Sequence, residues 1–221
     1  MTKRIKLKDR SLPGYCKGEE IMNMVTHIVG GALGIAVLLL CLLKASGAAA
    51  VTASAIYGGS MIALYAVSSI YHGLRPGMAK KVMQVLDHCM IYLLIAGTYT
   101  PILLVAFRSE YPYICWGLLA AEWLLAALAV TLTAIDLRKY RVFSMICYIF
   151  LGWGIVFFLP QTLTVMGREG FGVLLAGGIA YTIGAVLYGI GSKLPWMHSI
   201  FHIFVLAGSF LQFLAIYLHV L

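Results

Sequence analysis

His198 and His202 stand four residues apart in the stretch "PWMHSIFHIF". On a helix that spacing turns both imidazoles to one face. It is the usual way for one helix to offer two nitrogens to a single metal ion. His72, in "YAVSSIYHGL", is the candidate third ligand. Three imidazoles with one open position describe a catalytic zinc site, where a coordinated water has its pKa lowered to about 7. Asp87, in "VMQVLDHCMIYLL", is the carboxylate available to hold that water and take its proton. Ser68 lies four residues before His72 on the same helix face, within reach of the water or of a substrate oxygen. Zinc is the expected ion for an all-nitrogen set, although iron, nickel and copper also accept imidazole.

The segments that carry these residues are fit for lipid. Of the 221 residues, 62% are hydrophobic and 11% are charged, where a soluble domain carries about 25% charged residues. Stretches of about 20 apolar residues, enough to cross a bilayer, occur at 22–44, 50–73, 83–107, 112–135, 142–166, 171–191 and 197–220. None alternates with period 2, which excludes a membrane β-barrel. The expected fold is all-α: a seven-transmembrane helix bundle forming one domain over 1–221, with residues 1–19 as a basic cytoplasmic tail. Short loops make consecutive helices antiparallel neighbours. Gly30, Gly31, Gly34, Gly177, Gly178 and Gly184 let helix backbones approach closely. Pro101 and Pro160 each remove a backbone hydrogen bond and are expected to kink their helices. The five cysteines include no C-x-x-C pair and read as apolar fillers or free thiols. The run "GIAVLLLCLL" followed by "KASGAAA" mimics a signal peptide. Its polar lead is too long and its apolar run long enough to span, so an uncleaved first helix is expected.

The net charge of +8 points to lipid headgroups rather than nucleic acid because of where it lies. Lys3, Arg4, Lys6, Lys8, Arg10 and Lys17 precede the first span. Arg75, Lys80 and Lys81 follow the second, Arg138, Lys139 and Arg141 the fourth, and Lys193 the sixth. Only Lys44, Arg108 and Arg168 fall on the other side. Positive residues mark the cytoplasmic face, so the N-terminus is expected in the cytoplasm and the C-terminus outside. The basic tail suits anionic lipid, and a protein partner is left open by the sequence.

Ionisable groups inside a membrane usually face a cavity or a partner. With this orientation, Glu20, Asn23 and His27 open the first helix, His72 closes the second, Asp87 opens the third, and His198 and His202 open the seventh. Four helices thus direct polar groups to one depth, which hydropathy does not require. His88 follows Asp87 by one residue and is expected to point elsewhere. His219 reads as interfacial. Glu122 falls mid-membrane, as a proton relay or as a carboxyl kept neutral by burial.

The sequence resembles the hemolysin III family, the bacterial branch of the progestin and adipoQ receptor (PAQR) family. "EEIMNMVTH" carries E-x-x-N-x-x-T-H as Glu20, Asn23, Thr26 and His27. "SSIYH" gives S-x-x-x-H as Ser68 and His72, and "LDHCMIYLLIAGTYTP" supplies Asp87 and the ending at Pro101. "PWMHSIFHIF" gives Pro195 and H-x-x-x-H. Glu122 belongs to none of these patterns. The resemblance implies zinc held by His72, His198 and His202, with Asp87 and Ser68 close by, in a bacterial cytoplasmic membrane. It also implies kinship with alkaline ceramidases, which cleave a lipid amide, with receptors in eukaryotes, and with lytic proteins in bacteria.

Four functions compete on these observations. The first is a zinc-dependent hydrolase of a lipid amide or ester, with Asp87 as base then acid and Asn23 or Ser68 assisting the oxyanion. The second is a sensor of membrane lipid homeostasis with structural zinc. A cytolytic pore would need a polar face through the whole bilayer, whereas polarity here gathers at one end. A proton-coupled transporter would favour an inverted repeat, and none is visible.

Overall fold

A chain with no water beside it satisfies its backbone N–H and C=O groups within a helix, and the apolar stretches do so. The structure, a computed structural model, describes residues 6–191 and 194–221. Lys3, Arg4 and Lys193 lie outside the described residues. Helix α1 spans Lys17–Lys44, α2 Gly47–Gly73, α3 Met78–Pro101, α4 Pro112–Ile135, α5 Arg141–Trp153, α6 Leu159–Gly191 and α7 Met197–His219. No strand occurs among the described residues.

Six helical segments among the described residues are long and apolar enough to cross a bilayer: Lys17–Lys44, Gly47–Gly73, Met78–Glu110, Pro112–Ile135, Arg141–Ile190 and Met197–His219. The stretches expected separately at 142–166 and 171–191 therefore fall in one segment of 50 residues. It stays helical on both sides of Gly167, which has φ 70 and ψ 172. Glycine adopts that conformation without steric cost. At about 1.5 Å per residue a straight helix of this length would run about 75 Å, more than twice the roughly 30 Å of a hydrocarbon core.

Two further irregularities accompany the prolines. After Pro101 the chain widens into a π-helical turn over Ile102–Phe107; proline offers no N–H to an α-helical ladder. Before Pro160 it tightens into a 3₁₀ turn over Gly154–Phe158. The Tyr99 hydroxyl serves this turn. It accepts from the Ile155 N–H at 2.9 Å and donates to the Gly152 carbonyl at 3.2 Å. Glu122 is buried against the same turn, where a Cβ on Gly154 would meet its Oε1 at 3.3 Å.

α1 packs on α2 and α7, α2 on α3, α3 on α4, and α6 on α7. The helices α7, α1, α2 and α3 are thus successive neighbours. Glycine sets how closely they pass. A Cβ at Gly58 would lie 2.6 Å from Leu38 Cβ and 2.7 Å from its Cα. Relief there requires the two backbones to part. Gly58→Ala should therefore lower stability by about 1–3 kcal/mol, read as a lower Tm in detergent. Gly59→Ala, with nothing within 4 Å of its Cβ, should leave Tm unchanged.

Candidate metal centre

The ends of two helices bring the three imidazoles together. His72 closes α2, and His198 and His202 occupy the first two turns of α7. The start of α7 is fixed by a neighbour. Trp196, in the left-handed region at φ 66, donates its N–H to Glu19 Oε1 at 2.6 Å. Glu19 Oε2 accepts from the Cys16 N–H at 2.9 Å and so caps α1. One carboxylate thereby ties the two helix starts to each other. Sequence spacing did not single out Glu19, because its partner lies 177 residues away.

His198 Nε2 lies 3.3 Å from His72 Nε2 and 3.1 Å from His202 Nε2, and all three side chains are buried. One nitrogen from each ring falls within 4.8 Å of the others. The opposite ring nitrogens determine which atoms carry protons. His72 Nδ1 lies 2.7 Å from Glu20 Oε2, a carboxylate that only accepts. His202 Nδ1 lies 3.2 Å from the Asn23 carbonyl oxygen, again an acceptor. Both rings therefore hold their proton on Nδ1 and turn an Nε2 lone pair toward His198. A cation between the three rings would accept both lone pairs and a third from His198. A tetrahedral zinc with Zn–N near 2.05 Å would set its nitrogens about 3.3 Å apart. The His72, His198 and His202 set can therefore hold a metal ion, and the donors suit zinc.

The first turns of α1 support this set. Glu20 Oε1 accepts from Lys80 Nζ at 2.6 Å, and the same ammonium donates to the Leu74 carbonyl at 3.0 Å. Lys80 is buried. The sequence reading counted it as a loop charge, but it folds inward to pair with Glu20. Asn23 accepts from the Ser199 hydroxyl at 2.6 Å, and its amide nitrogen faces His72 at 3.5 Å. Its backbone carbonyl also faces His202, so Asn23 positions α7 through both its side chain and its backbone. The Thr26 hydroxyl donates to the Met22 and Asn23 carbonyls and lies 3.4 Å from His202 Nδ1. The His27 ring stacks on His202 at 3.7 Å and 14°. From the tail, Tyr15 stacks on His198 at 4.9 Å and 18°. Burial pushes its phenol well above the ordinary tyrosine value, so the ring stays neutral.

An apolar cavity of about 180 Å³ adjoins the cluster. Its walls include His27, Ser68, Asp87, His198 and His202, and it runs between Leu94, Ile95, Ile102, Phe171, Leu174 and Val205 toward Gln212. Ser68 is buried with no hydrogen-bond partner for its hydroxyl, and neither nitrogen of His27 has one. Asp87 contacts His88 at 3.9 Å. His88 was expected to point away, yet it lines the same cavity. Adjacent residues differ by about 100° on a helix, and both positions flank the opening. Its Nδ1 lies 2.8 Å from the Gln84 carbonyl, which it serves as donor, and its Nε2 faces the Tyr188 hydroxyl at 3.2 Å. Glu122 is absent from these walls.

The sequence pattern of the family described as Haemolysin-III related matches residues 16–213. Hemolysin-3 of Bacillus cereus is 40% identical over 206 residues, covering 92% of each chain. The hemolysin-3 homolog of Bacillus subtilis (strain 168) is 32% identical over 201 residues, covering 90% of this chain and 92% of the relative. The adiponectin receptor protein of Drosophila melanogaster is 25% identical over 225 residues, covering 88% of this chain and 49% of the relative. Every residue that meets at the imidazole cluster lies inside the matched region, apart from Tyr15. With its long apolar helices the molecule is an integral membrane protein, and it belongs to the haemolysin III family.

Proposed function

We propose that this protein is a zinc-dependent hydrolase of an acyl bond, amide or ester, in a membrane lipid. The observation that carries the reading is one apolar cavity walled jointly by His198, His202, Asp87 and Ser68. When bound, zinc supplies a Lewis acid for a carbonyl and makes water acidic enough to react near neutral pH. The apolar walls take up an acyl chain and exclude bulk water. Asp87 accepts a proton from the attacking water and returns it to the leaving group. The unpartnered Ser68 hydroxyl donates to the substrate carbonyl oxygen, and Glu20 and Asn23 hold the histidines in their tautomers.

The membrane arrangement belongs to the same proposal. The break at Gly167 divides the Arg141–Ile190 segment into two passes, giving seven spans. The arginines and lysines beside the imidazole cluster support a cytoplasmic position for that end and for the N-terminus. Membrane lipids are the partners. The test is release of free fatty acid from lipid amides and esters by purified protein in nanodiscs, followed by mass spectrometry. Release that stops with a chelator and returns with zinc is expected; no release from any amide or ester by zinc-loaded protein would refute the hydrolase.

Tyr15 stacked over His198 favours a second reading, in which the metal is structural and the bundle senses lipid state. Zinc would then raise Tm without any fatty acid release.

A further inference from the structure

A second, larger cavity of about 550 Å³ opens beside the imidazole cluster, between the tail and the ends of α3, α4, α5 and α6. It shares His88, Met145, Tyr148, Tyr188 and His198 with the apolar cavity. The two spaces thus meet at the imidazole edge. Their linings differ sharply. The second is the more polar of the two and carries cations, with Arg10, Arg138 and Arg141 in its wall. Two carboxylates face them, Asp9 and Glu19. Glu19 is held by the Trp196 and Cys16 N–H groups and keeps its charge, so the three guanidiniums outnumber the carboxylates by one. Arg141 is close enough to Tyr188 to act on it electrostatically, and Arg10 donates to the Ile135 carbonyl at 2.9 Å. Among the described lining residues every strong cation is arginine, although Lys139 adjoins Arg138 in the chain. The planar guanidinium fork matches phosphate oxygens in pairs, which an ammonium cannot do.

We propose that this vestibule binds an anionic phosphate, carried on the headgroup of the lipid whose acyl chain fills the adjoining apolar cavity. The proposal rests on the apolar cavity being a lipid-chain site, and it narrows the substrate class to lipids with a net negative headgroup. Arg138 and Arg141 grip the phosphate, and the bond to be cut lies between head and tail at the imidazoles. A volume of several hundred Å³ is that of an ordinary ligand site.

The test measures binding, so that it stands apart from turnover. Purified full-length protein in maltoside micelles, with its metal removed, is titrated with dihexanoyl-phosphatidylglycerol and with dihexanoyl-phosphatidylcholine. Wild type should prefer the anionic lipid by about tenfold or more at low salt. The R138Q/R141Q double variant should lose that preference, and R75Q/K139Q, which removes two exposed cations outside the vestibule, should keep it. Inorganic phosphate at millimolar concentration should not displace the anionic lipid. Displacement would assign the vestibule to the free ion and overturn the headgroup. Equal binding of the two lipids, or an unchanged preference in R138Q/R141Q, would overturn the anion site. A preserved preference without any fatty acid release would remove the hydrolase and leave the vestibule standing.

Discussion

Asp87→Asn should keep metal and fold and lose lipid hydrolysis by about 10²–10⁴-fold, the usual worth of a general acid–base group. The substitution retains shape and removes only the ability to take a proton. The fold should tolerate it. Asp87 lies at the cavity wall with 14% of its side chain exposed, and its charge contact is His88 at 3.9 Å. That contact holds little, because the His88 Nδ1 proton already goes to the Gln84 carbonyl. Metal should persist as well, since the ligand set is made of imidazoles and Asp87 is not part of it. Fatty acid release, metal content and Tm on one preparation separate the possibilities. Loss of release with metal and Tm unchanged supports Asp87 as the base. Full release would remove it from that role.

Glu20→Ala should be among the most damaging substitutions for stability. Glu20 neutralises Lys80, whose side chain is 4% exposed, while its other oxygen receives the His72 Nδ1 proton. Without it a buried ammonium keeps only backbone carbonyls and the face of the Tyr71 ring, with no counter-charge. Removing one member of a buried pair costs about 3–5 kcal/mol, and the partial exposure of Glu20, 20% of its side chain, places the expectation near 3. The same change frees the His72 ring, and loss of such a partner lowers metal affinity by about 10–100-fold. The two effects can be parted. In Glu20→Ala with Lys80→Met no unpaired charge remains, so Tm should recover while zinc affinity stays low. Recovery of both would mean that Glu20 acts only through charge balance and does not orient His72.

The residues that meet at the cluster were legible because spacing alone determines who shares a helix face. His198 with His202, and Ser68 with His72, needed only the helix repeat. That α1, α2, α3 and α7 present them at one end followed from counting spans and charges. Other parts of the site depend on contacts between distant segments, which a single sequence does not carry. Glu19 reaches Trp196, Lys80 turns inward to Glu20, and Tyr15 folds back over His198. His88 was misplaced because adjacent helical positions were assumed to exclude each other, whereas the cavity is wide enough to be flanked by both. Asn23 was legible as polar and near the site, but its role was not, since the Ser199 hydroxyl that engages it sits 176 residues on. The irregular turns after Pro101 and before Pro160 were readable as kinks; their opposite character, widened at one and tightened at the other, depends on packing such as the Tyr99 hydroxyl against Ile155.

The convergence of three imidazole nitrogens on one buried point is what the rest depends on, and metal content tests it most directly. Full-length protein purified without chelator, in parallel with His202→Ala, is analysed by inductively coupled plasma mass spectrometry and then retitrated with zinc. About one zinc per wild-type chain is expected, as for three histidines with one open position, with little or none in His202→Ala even after titration. A full complement of metal in the variant, or a wild-type chain that takes up none, would contradict the site.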